Sequence, residues 1–386
     1  MKTILFIHQS ADLYGSDKTL LYLVDKIRPD YKAIVVVPCE GELTTILREK
    51  KIQVIINPVI KISRGLFNPK GLLTLPFIIN KAVKQLKKQL KNEKIAIIHS
   101  NTLAVLLGGF YSKKHKIKHI WHVHEIIKKP KIVAKAFPII VNYFSDIVVF
   151  NSKASYEHLT KGKKQLKAKS QIILNGIDRN TTYTNIETIT KIRKSFFSDS
   201  TKETIILGLV GRISKHKGQQ LLLNAFEELS KEHPSIKLVF IGATIESQKY
   251  LLVDLKNAIK HKNLIEKVSI VPFQKNIWQY YDSLDIVIVP TTDPEPFGLV
   301  ALEGMLAQKP VIAANHGGLK EIITHNETGL LFEPNNEKDL AIKIESILAN
   351  TEKYKSIAQA GEKHAKTAFS LRNYIEAFKK LYHEVK

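Results

Sequence analysis

Cysteine is almost missing from this chain of 386 residues, which contains only Cys39. A single thiol cannot form an intrachain disulfide, so stability must come from packing, and a reducing compartment is expected. Free cysteines are usually buried. Because Cys39 follows the apolar run at residues 33–37, we expect this thiol to lie close to a core.

We also expect neither a secretory signal nor a membrane-spanning segment. The apolar run at the N-terminus ends at His8, which is too short for a signal peptide, and no small-residue cleavage site follows it. The most apolar later stretch, residues 136–150, is interrupted by Asn142 and Asp146 and falls short of a bilayer span. We therefore expect a cytoplasmic protein that would contact a membrane only peripherally, at its inner face.

Acidic residues are scarce in the first half of the chain. Residues 1–200 hold 35 Lys and Arg against 14 Asp and Glu, a net charge of +21, whereas residues 201–386 hold 24 against 22, a net charge of +2. This asymmetry predicts a polyanionic partner for the first half. Five lysines between residues 81 and 91 fall at helical spacing, with Leu86 and Leu90 between them. They fit docking to an anionic membrane surface, but equally a solvated helix face.

Nucleic acid is not expected as the partner, because the chain has no Arg-rich helix, zinc finger or aromatic RNA-binding motif. What the chain does have is a repeated alternation of short apolar runs and amphipathic stretches. The apolar runs are residues 3–8, 33–37, 54–56, 96–100, 119–123, 147–150, 171–174, and then 205–210, 237–241, 268–271, 286–289 and 311–313. Strands separated by helices predict parallel sheets covered on both faces.

The alternation restarts after a turn at residues 175–178 and a polar stretch at residues 179–203. We place an interdomain linker in that stretch. The predicted fold class is α/β, with two Rossmann-like, doubly wound domains at residues 1–180 and 200–370 that face each other across a cleft. Residues 371–386 form a C-terminal helix that could return to the first domain.

Residues 290–303, PTTDPEPFGLVALE, are the most informative segment. A strand runs into a proline-rich turn, and a helix is expected to start near Phe297. The first backbone N–H groups of that helix point outward and favour phosphate binding; they belong to Gly298, Leu299 and Val300. Glu295 precedes the helix and Glu303 lies about two turns inside it, so their carboxylates can hold separate parts of one elongated ligand. Two solvated glutamates are the plainer alternative.

Residues 211–218, GRISKHKG, follow a predicted strand and combine glycines with basic side chains. Arginine offers a planar fork for phosphate oxygens and lysine a point charge. Arg212 and Lys217 could therefore neutralise a diphosphate, although a solvated basic loop would have the same composition.

These two segments resemble motifs of the retaining GT-B glycosyltransferases of family 4, the glycosyl transferases group 1 with a Glu-x7-Glu signature. Val271-Pro272-Phe273 resembles the base-binding loop of that family, and residues 316–321 and 328–331 resemble its later motifs. The resemblance implies that Glu303 holds the ribose and Glu295 the donor sugar. The donor-binding residues it implies are Gly15, Gly211, Arg212, Lys217, Val271, Pro272, Phe273, Glu295, Phe297, Gly298, Leu299, Val300 and Glu303.

The N-terminal matches to the family are looser. Residues 11–18 resemble a loop that normally carries two adjacent glycines, but Tyr14 replaces the first and only Gly15 remains. The family often has a histidine at the end of the strand that corresponds to residues 119–123. That role is carried to His124, with His122 as second choice. The two histidines could instead be metal ligands or simply line a core or cleft.

The sequence has no Asp-x-Asp metal motif, in which one residue separates two aspartates. In the nearest approach to it, Asp282 and Asp285, two residues lie between the aspartates. The resemblance therefore implies transfer without a metal ion or other cofactor, with His124, Glu295, Arg212 and Lys217 as the catalytic residues. The expected function is transfer of a hexose or related sugar from a nucleotide diphosphate sugar to a lipid-linked or cell-surface glycan acceptor. The alternatives are a nucleotide-sugar epimerase of the same fold and a non-catalytic protein that binds an anionic polymer.

Overall fold

The structure is a computed structural model that describes residues 1–61, 69–179 and 181–385. It divides into two compact units. Unit 1 comprises Met1–Gly176 with Leu371–Lys386, and unit 2 comprises Ile177–Ser370.

The described part of unit 1 contains a sheet of seven parallel strands. They are β1 (Lys2–His8), β2 (Tyr31–Val37), β3 (Gln53–Ile56), β4 (Ile95–Asn101), β5 (Lys118–Val123), β6 (Ile147–Phe150) and β7 (Ser170–Ile172). Their spatial order is β3-β2-β1-β4-β5-β6-β7, so the order reverses between β1 and β4. In doubly wound sheets, ligands bind outside the carboxyl ends of the strands at such a reversal.

Helices cover both faces of this sheet. The connecting helices are α1 (Gly15–Ile27), α2 (Glu42–Glu49), α3 (Pro69–Gln89), α4 (Leu107–His115), α5 (Lys131–Phe144), α6 (Lys153–Thr160) and α7 (Lys164–Ala168). Ile4 and Phe6 of β1 enter the core under α1 and α2, whereas Leu5 and Ile7 enter the core under α3 to α7. Because β1 is buried on both faces, its apolar run is continuous rather than alternating.

Unit 2 repeats the plan. Its described strands are β8 (Ile205–Val210), β9 (Ile236–Ile241), β10 (Val268–Val271), β11 (Ile286–Val289), β12 (Val311–Ala314) and β13 (Leu330–Phe332), in the parallel order β10-β9-β8-β11-β12-β13. Its helices are α8 (Ile186–Phe196), α9 (Gln219–Glu232), α10 (Lys249–His261), α11 (Ile277–Asp282), α12 (Leu299–Leu306), α13 (Leu319–Ile322), α14 (Glu337–Ala349) and α15 (Thr351–Ala368). Here the strand order reverses between β8 and β11.

The final helix, α16 (Leu371–Glu384), lies in unit 1 and completes the core on the side of α1 and α2. Phe378 and Tyr382 are fully buried, and the Tyr382 hydroxyl lies 2.6 Å from Nδ1 of His99 in β4. None of the described helices combines the length and apolar composition needed to cross a bilayer.

The predicted fold class, two doubly wound parallel-sheet α/β domains, is confirmed. The stretch predicted as a linker differs: the boundary between the units lies at residues 176 and 177, and the polar stretch contains α8. Arg179 forms a buried ion pair with Asp282 at 2.6 Å, and Arg193 of α8 pairs with Asp285 at 2.9 Å. These contacts hold the polar stretch within unit 2.

One smaller expectation was wrong, and one strand was missed. Cys39 is exposed rather than close to the core, because β2 ends at Val37 and the chain then turns outward. Strand β13 was not predicted, since its three residues are too short for a periodic pattern.

Candidate functional site

Three of the predicted donor segments leave the unit 2 sheet at the same edge. Residues 211–218 follow β8, Pro272 and Phe273 follow β10, and residues 290–298 follow β11. Because all the strands of this sheet are parallel, the loops after them meet at its carboxyl edge. The first and last of these loops flank the reversal between β8 and β11, where a ligand site is expected.

Lys217 and Glu295 meet at this reversal. The Nζ atom of Lys217 lies 2.7 Å from Oε2 of Glu295, and both side chains are partly accessible to solvent. The two loops are also tied by the backbone, since Thr292 donates its N–H to the carbonyl of His216 at 3.0 Å. A phosphate that approaches Lys217 would therefore compete with the Glu295 carboxylate for one ammonium group.

Glycines allow the β8 loop to approach a ligand closely. Gly211 has φ of +141°, and a Cβ placed on it would meet no atom within 4 Å. Gly218 has φ of +77° and lies against the carbonyl of Pro290, where a side chain has no room. Between them, Arg212 is half-buried, and its carbonyl accepts a hydrogen bond from the Gln219 side chain at 3.0 Å.

The helix after β11 begins at Leu299, two residues later than predicted, with Gly298 as its N-cap. Gly298 has φ of +123°, and a Cβ there would clash with Leu319 at 2.6 Å. The amides of Leu299 and Val300 lie in the first turn, where N–H groups have no acceptor within the helix. Phe297 is buried with its ring 5.9 Å from that of Phe369, so this predicted donor residue packs in the interior.

Glu303 lies inside α12 and is buried. Its Oε2 accepts a hydrogen bond from the Tyr281 hydroxyl at 2.7 Å. Burial, together with the adjacent carboxylate, raises the pKa of Tyr281 well above its usual value. The phenol therefore stays a donor and fixes the orientation of Glu303.

The β10 loop has a different character. Val271 is half-buried, whereas Pro272 and Phe273 are exposed and present an apolar surface at the edge strand of the sheet. An exposed aromatic ring at such an edge is suited to stacking against a flat ligand.

The reversal in the unit 1 sheet also collects polar side chains. His8 ends β1, Asn101 ends β4, and His124 follows β5. The Nε2 atom of His124 lies 2.9 Å from Oδ1 of Asn101, while Nδ2 of Asn101 lies 3.0 Å from Nδ1 of His8. The Nε2 atom of His8 in turn lies 2.7 Å from Oδ1 of Asp17 in the first turn of α1.

This chain of hydrogen bonds determines which nitrogen of His124 carries the proton. The pKa of Asp17 is lowered by hydrogen bonds that outweigh its burial, so the ionised carboxylate requires a donor from Nε2 of His8. Nδ1 of His8 lies 3.0 Å from the amide nitrogen of Asn101 and 3.1 Å from the backbone carbonyl oxygen of Asn101. The same amide nitrogen donates to the carbonyl oxygen of Ser16 at 3.4 Å, so the amide oxygen is turned toward His124 and accepts from its Nε2. His124 therefore carries its proton on Nε2, which leaves Nδ1 as an acceptor.

Burial keeps His124 neutral by lowering its pKa to about 3. The neighbouring His122 is fully buried, and its ring centroid lies 3.9 Å from that of His124. No residue in the described part of the chain forms a hydrogen bond with either of its ring nitrogens. Burial also raises the pKa of Glu125 to about 7, although its carboxylate accepts the N–H groups of Leu103 and His124.

Gly15 lies exposed at the start of α1, where the carboxylate of Asp17 accepts the N–H of Tyr14 at 3.0 Å.

Within the described ranges, His122 and His124 do not belong to a group of three close metal-ligating side chains. Among the residues that the structure describes, one group has ligand atoms close enough to hold a metal ion: Glu232, His233 and Glu345. It lies where α9 ends and within α14, and none of its members was predicted to bind the donor.

Two family models match the chain. The glycosyl transferases group 1 model matches residues 189–364, and the glycosyltransferase family 4 model matches residues 20–181. The two matches together span most of both units. The chain belongs to the glycosyltransferases.

Relatives of the transferase include proteins of known sequence and of known structure. An uncharacterised glycosyltransferase of Methanocaldococcus jannaschii, MJ1178, is 28% identical over 81% of each chain. The capsular polysaccharide biosynthesis glycosyltransferase CapM of Staphylococcus aureus is 27% identical over 47% of this chain and 46% of its own. The crystal structure of Anabaena HepE in complex with UDP and glucose superimposes with a TM-score of 0.86, 25% identity and 99% coverage of both chains.

Some side chains of the transferase that position the candidate site were not singled out from the sequence. Tyr281 orients Glu303, and Asn101 and His8 link His124 to Asp17. The signal for the second group was weak but present, because His8 ends one predicted strand and Asn101 directly follows another. Their proximity depends on β1 and β4 being neighbours, and strand order cannot be read from apolar runs.

Proposed function

We propose that this glycosyltransferase moves a hexose or a related sugar from a nucleotide diphosphate sugar to a glycan or lipid-linked acceptor, with retention at the anomeric carbon and without a metal ion. The observation that carries the proposal is the meeting of Lys217 and Glu295 at the sheet reversal of unit 2, next to the first turn of α12. A cation and free helix amides there can hold a diphosphate, and a carboxylate beside them can hold a sugar hydroxyl.

The negative charge of the leaving nucleoside diphosphate must be stabilised in this reaction. When the bond between the anomeric carbon and the diphosphate oxygen breaks, negative charge develops on that oxygen. Preorganised donors lower the barrier most where charge develops in the transition state. We assign this role to Lys217, Arg212 and the backbone amides of Gly298 to Val300.

The remaining donor contacts follow from the same edge of the sheet. Glu303, oriented by Tyr281, is assigned to the ribose hydroxyls, and Glu295 to hydroxyls of the donor sugar. The exposed Pro272 and Phe273 are assigned to the base. The complexes of HepE with UDP and with UDP-glucose support a uridine nucleotide as the donor class.

The acceptor side of the proposal involves unit 1. His124 offers a neutral ring with Nδ1 as an acceptor, which suits a hydroxyl near the reacting centre. The strongly basic first half favours an anionic acceptor or membrane surface. The similarity to CapM supports a cell-envelope polysaccharide as the acceptor class.

Thermal unfolding in EDTA tests the donor site. A ligand that binds only the folded state at 100 times its Kd stabilises that state by about 2.7 kcal/mol. UDP, but not ADP or GDP at the same concentration, should raise the melting temperature, and Glu303→Ala and Arg212→Ala should abolish the rise. Glu327→Ala and Arg372→Ala change exposed residues outside the site and serve as matched controls.

Three outcomes would overturn parts of this proposal. No shift with any nucleoside diphosphate at millimolar concentration would remove the donor site. A shift that appears only with added Mg²⁺ or Mn²⁺ would overturn metal independence. A product whose anomeric proton coupling shows the configuration opposite to that of the donor would overturn retention.

A further inference from the structure

The outward surface of α3, α4 and α5 in unit 1 carries basic and apolar side chains but no acidic ones. We call it the α3–α5 face, and it comprises the exposed residues within 73–88 and 131–143, together with Lys113 and Lys114. None of the three helices contains an Asp or Glu in its sequence. Most surface helices alternate charges of both signs, so this composition requires a reason.

The apolar part of α5 forms a stripe. Ile132, Ile139 and Tyr143 are exposed, with Ile132 at 73%. Their spacing of seven and four residues places them on one side of a helix. The other exposed positions of α5 include Lys131 and Lys135. Single exposed apolar residues are ordinary, but a stripe along a helix that bears only positive charge is not.

Helix α3 repeats this pattern along its length. Leu73 and Phe77 are 74% and 78% exposed, and the same side of the helix continues into Lys81, Lys84 and Lys88. A helix with large apolar side chains on its outer face, followed by a row of lysines, is typical of segments that lie in the interface of a bilayer.

Packing places the two stripes on the same side of the unit. The inner side chains of α3, α4 and α5, such as Leu86, Tyr111 and Phe137, all enter one core on one face of the sheet. Helix α4 contacts both neighbours, and Nζ of Lys113 lies 5.2 Å above the ring centre of Tyr143. Leu86 and Leu90, which lie between the lysines in the sequence, are core residues and are not part of the face.

We propose that the α3–α5 face docks on an anionic lipid bilayer, with Phe77, Ile132 and Ile139 inserted among the acyl chains and the lysines at the phosphates. The positive charge of the face favours a bilayer over a second copy of the chain. A second copy of the same face would bring lysine rows together with no acidic partner, and like charges across an interface are unfavourable. An anionic bilayer supplies both the negative charge and an apolar phase.

The α3–α5 face would be the place where the transferase contacts the membrane. Only the purpose of that contact, delivery of a lipid-linked acceptor, rests on the proposed function. Vesicle binding can be measured without any nucleotide. Its failure would therefore leave the UDP-dependent thermal shift intact, and the converse also holds.

The test is cosedimentation of the full chain with vesicles of phosphatidylcholine and 30 mol% phosphatidylglycerol, against vesicles of phosphatidylcholine alone. The wild-type chain should bind the anionic vesicles only. The triple variant Lys81→Gln, Lys84→Gln, Lys88→Gln should bind on the order of 100-fold more weakly, because each lysine at such a surface contributes roughly fivefold. Lys26→Gln, Lys51→Gln, Lys380→Gln makes the same charge change at other exposed lysines of unit 1 and should bind like the wild type.

A second variant pair isolates the apolar contribution. Phe77→Ser with Ile139→Ser should weaken binding at least tenfold, whereas Ile186→Ser with Val253→Ser, at exposed apolar positions of unit 2, should not. In Phe77→Trp the new indole should shift its emission to the blue on anionic vesicles and be quenched by brominated acyl chains.

Several results would overturn the proposal. They are equal binding to neutral and anionic vesicles, equal losses in the test and control variants, and an indole that is not quenched by brominated lipid. Self-association that the Phe77 and Ile139 substitutions abolish, without any vesicle binding, would instead assign the face to a second copy of the chain.

Discussion

Replacing Asn101 by alanine should disconnect His124 from the chain of hydrogen bonds that ends at Asp17. The substitution removes three side-chain hydrogen bonds, of 2.9 Å to His124, 3.0 Å to His8 and 3.4 Å to the carbonyl oxygen of Ser16. Both histidines are buried, so their ring nitrogens cannot exchange the lost partner for bulk water.

The magnitude follows from Nε2 of His124, which loses its acceptor, whereas Nδ1 of His8 keeps the backbone carbonyl of residue 101 at 3.1 Å. A buried polar group left without a partner costs about 1–3 kcal/mol, so the free energy of unfolding should fall by about 1–3 kcal/mol. Asn142→Ala is the matched control, because the amide of Asn142 makes a longer, 3.3 Å bond to Gln165 near the surface. Its effect should stay below about 0.5 kcal/mol.

Urea unfolding measures the stability change, and ¹⁵N spectra of histidine-labelled protein measure the tautomer. The wild type should show His124 with its proton fixed on Nε2, and Asn101→Ala should lose that preference. Asn101→Asp keeps an acceptor toward His124 and should retain the tautomer. Transfer should follow the same order, with kcat reduced more in Asn101→Ala than in Asn101→Asp.

Two results would refute this reasoning. One is a His124 ring that carries its proton on Nδ1 in the wild type. The other is an Asn101→Ala protein with unchanged stability and an unchanged histidine spectrum, which would mean that the amide does not bridge the two rings.

Three further predictions concern both units. Asp282→Ala should lower the free energy of unfolding of unit 2 by roughly 3–5 kcal/mol, because it leaves the buried guanidinium of Arg179 without its carboxylate. Urea unfolding measures this loss, and a loss no larger than that of the exposed control Asp254→Ala would contradict the prediction. Lys217→Gln should change the free energy of unfolding by less than about 1 kcal/mol, since its partner Glu295 is partly solvated. The same substitution should weaken UDP binding, measured by calorimetry, at least tenfold. A large loss of stability with unchanged UDP binding would mean that the ion pair supports the fold and does not bind the donor. Burial lowers the pKa of four histidines: His99, His119, His122 and His124. Because the unfolded chain protonates these side chains at a higher pH than the folded chain does, the free energy of unfolding should fall as pH decreases from about 6.5 toward 4. The decrease should be roughly 1.4 kcal/mol per pH unit for each such histidine. Glu125 opposes this trend because its raised pKa, about 7, makes the folded state bind the extra proton between pH 4.5 and 7. Glu125→Gln should therefore steepen the decrease in urea titrations at pH 7, 6 and 5, and a shallower slope would contradict the assignment.

The class of fold and of enzyme could be predicted from the sequence because both depend on short local patterns. Apolar runs such as residues 286–289 are continuous because their strands are buried on both faces, and Ile286–Val289 is a strand with those bounds. The glycine-rich loop at residues 211–218 and the helix start near Gly298 are likewise local features. Their roles toward a donor stay predictions.

The exposure of individual side chains could not be predicted in the same way. Leu86 and Phe77 are both apolar residues of α3, yet Leu86 is buried and Phe77 is on the surface. Which side of a helix is covered depends on how that helix packs against its neighbours. For the same reason the sequence placed Cys39 near the core and placed a linker where α8 packs on unit 2.

By itself the sequence determined two parallel α/β sheets and the loops that follow their strands, because periodicity and turn residues act over a few positions. Only the tertiary structure decided that Lys217 meets Glu295, 78 residues away, and that Asn101 lies between His8 and His124. These contacts require β8 to lie beside β11 and β1 beside β4. Strand order results from the packing of whole helices and strands, so no local pattern encodes it.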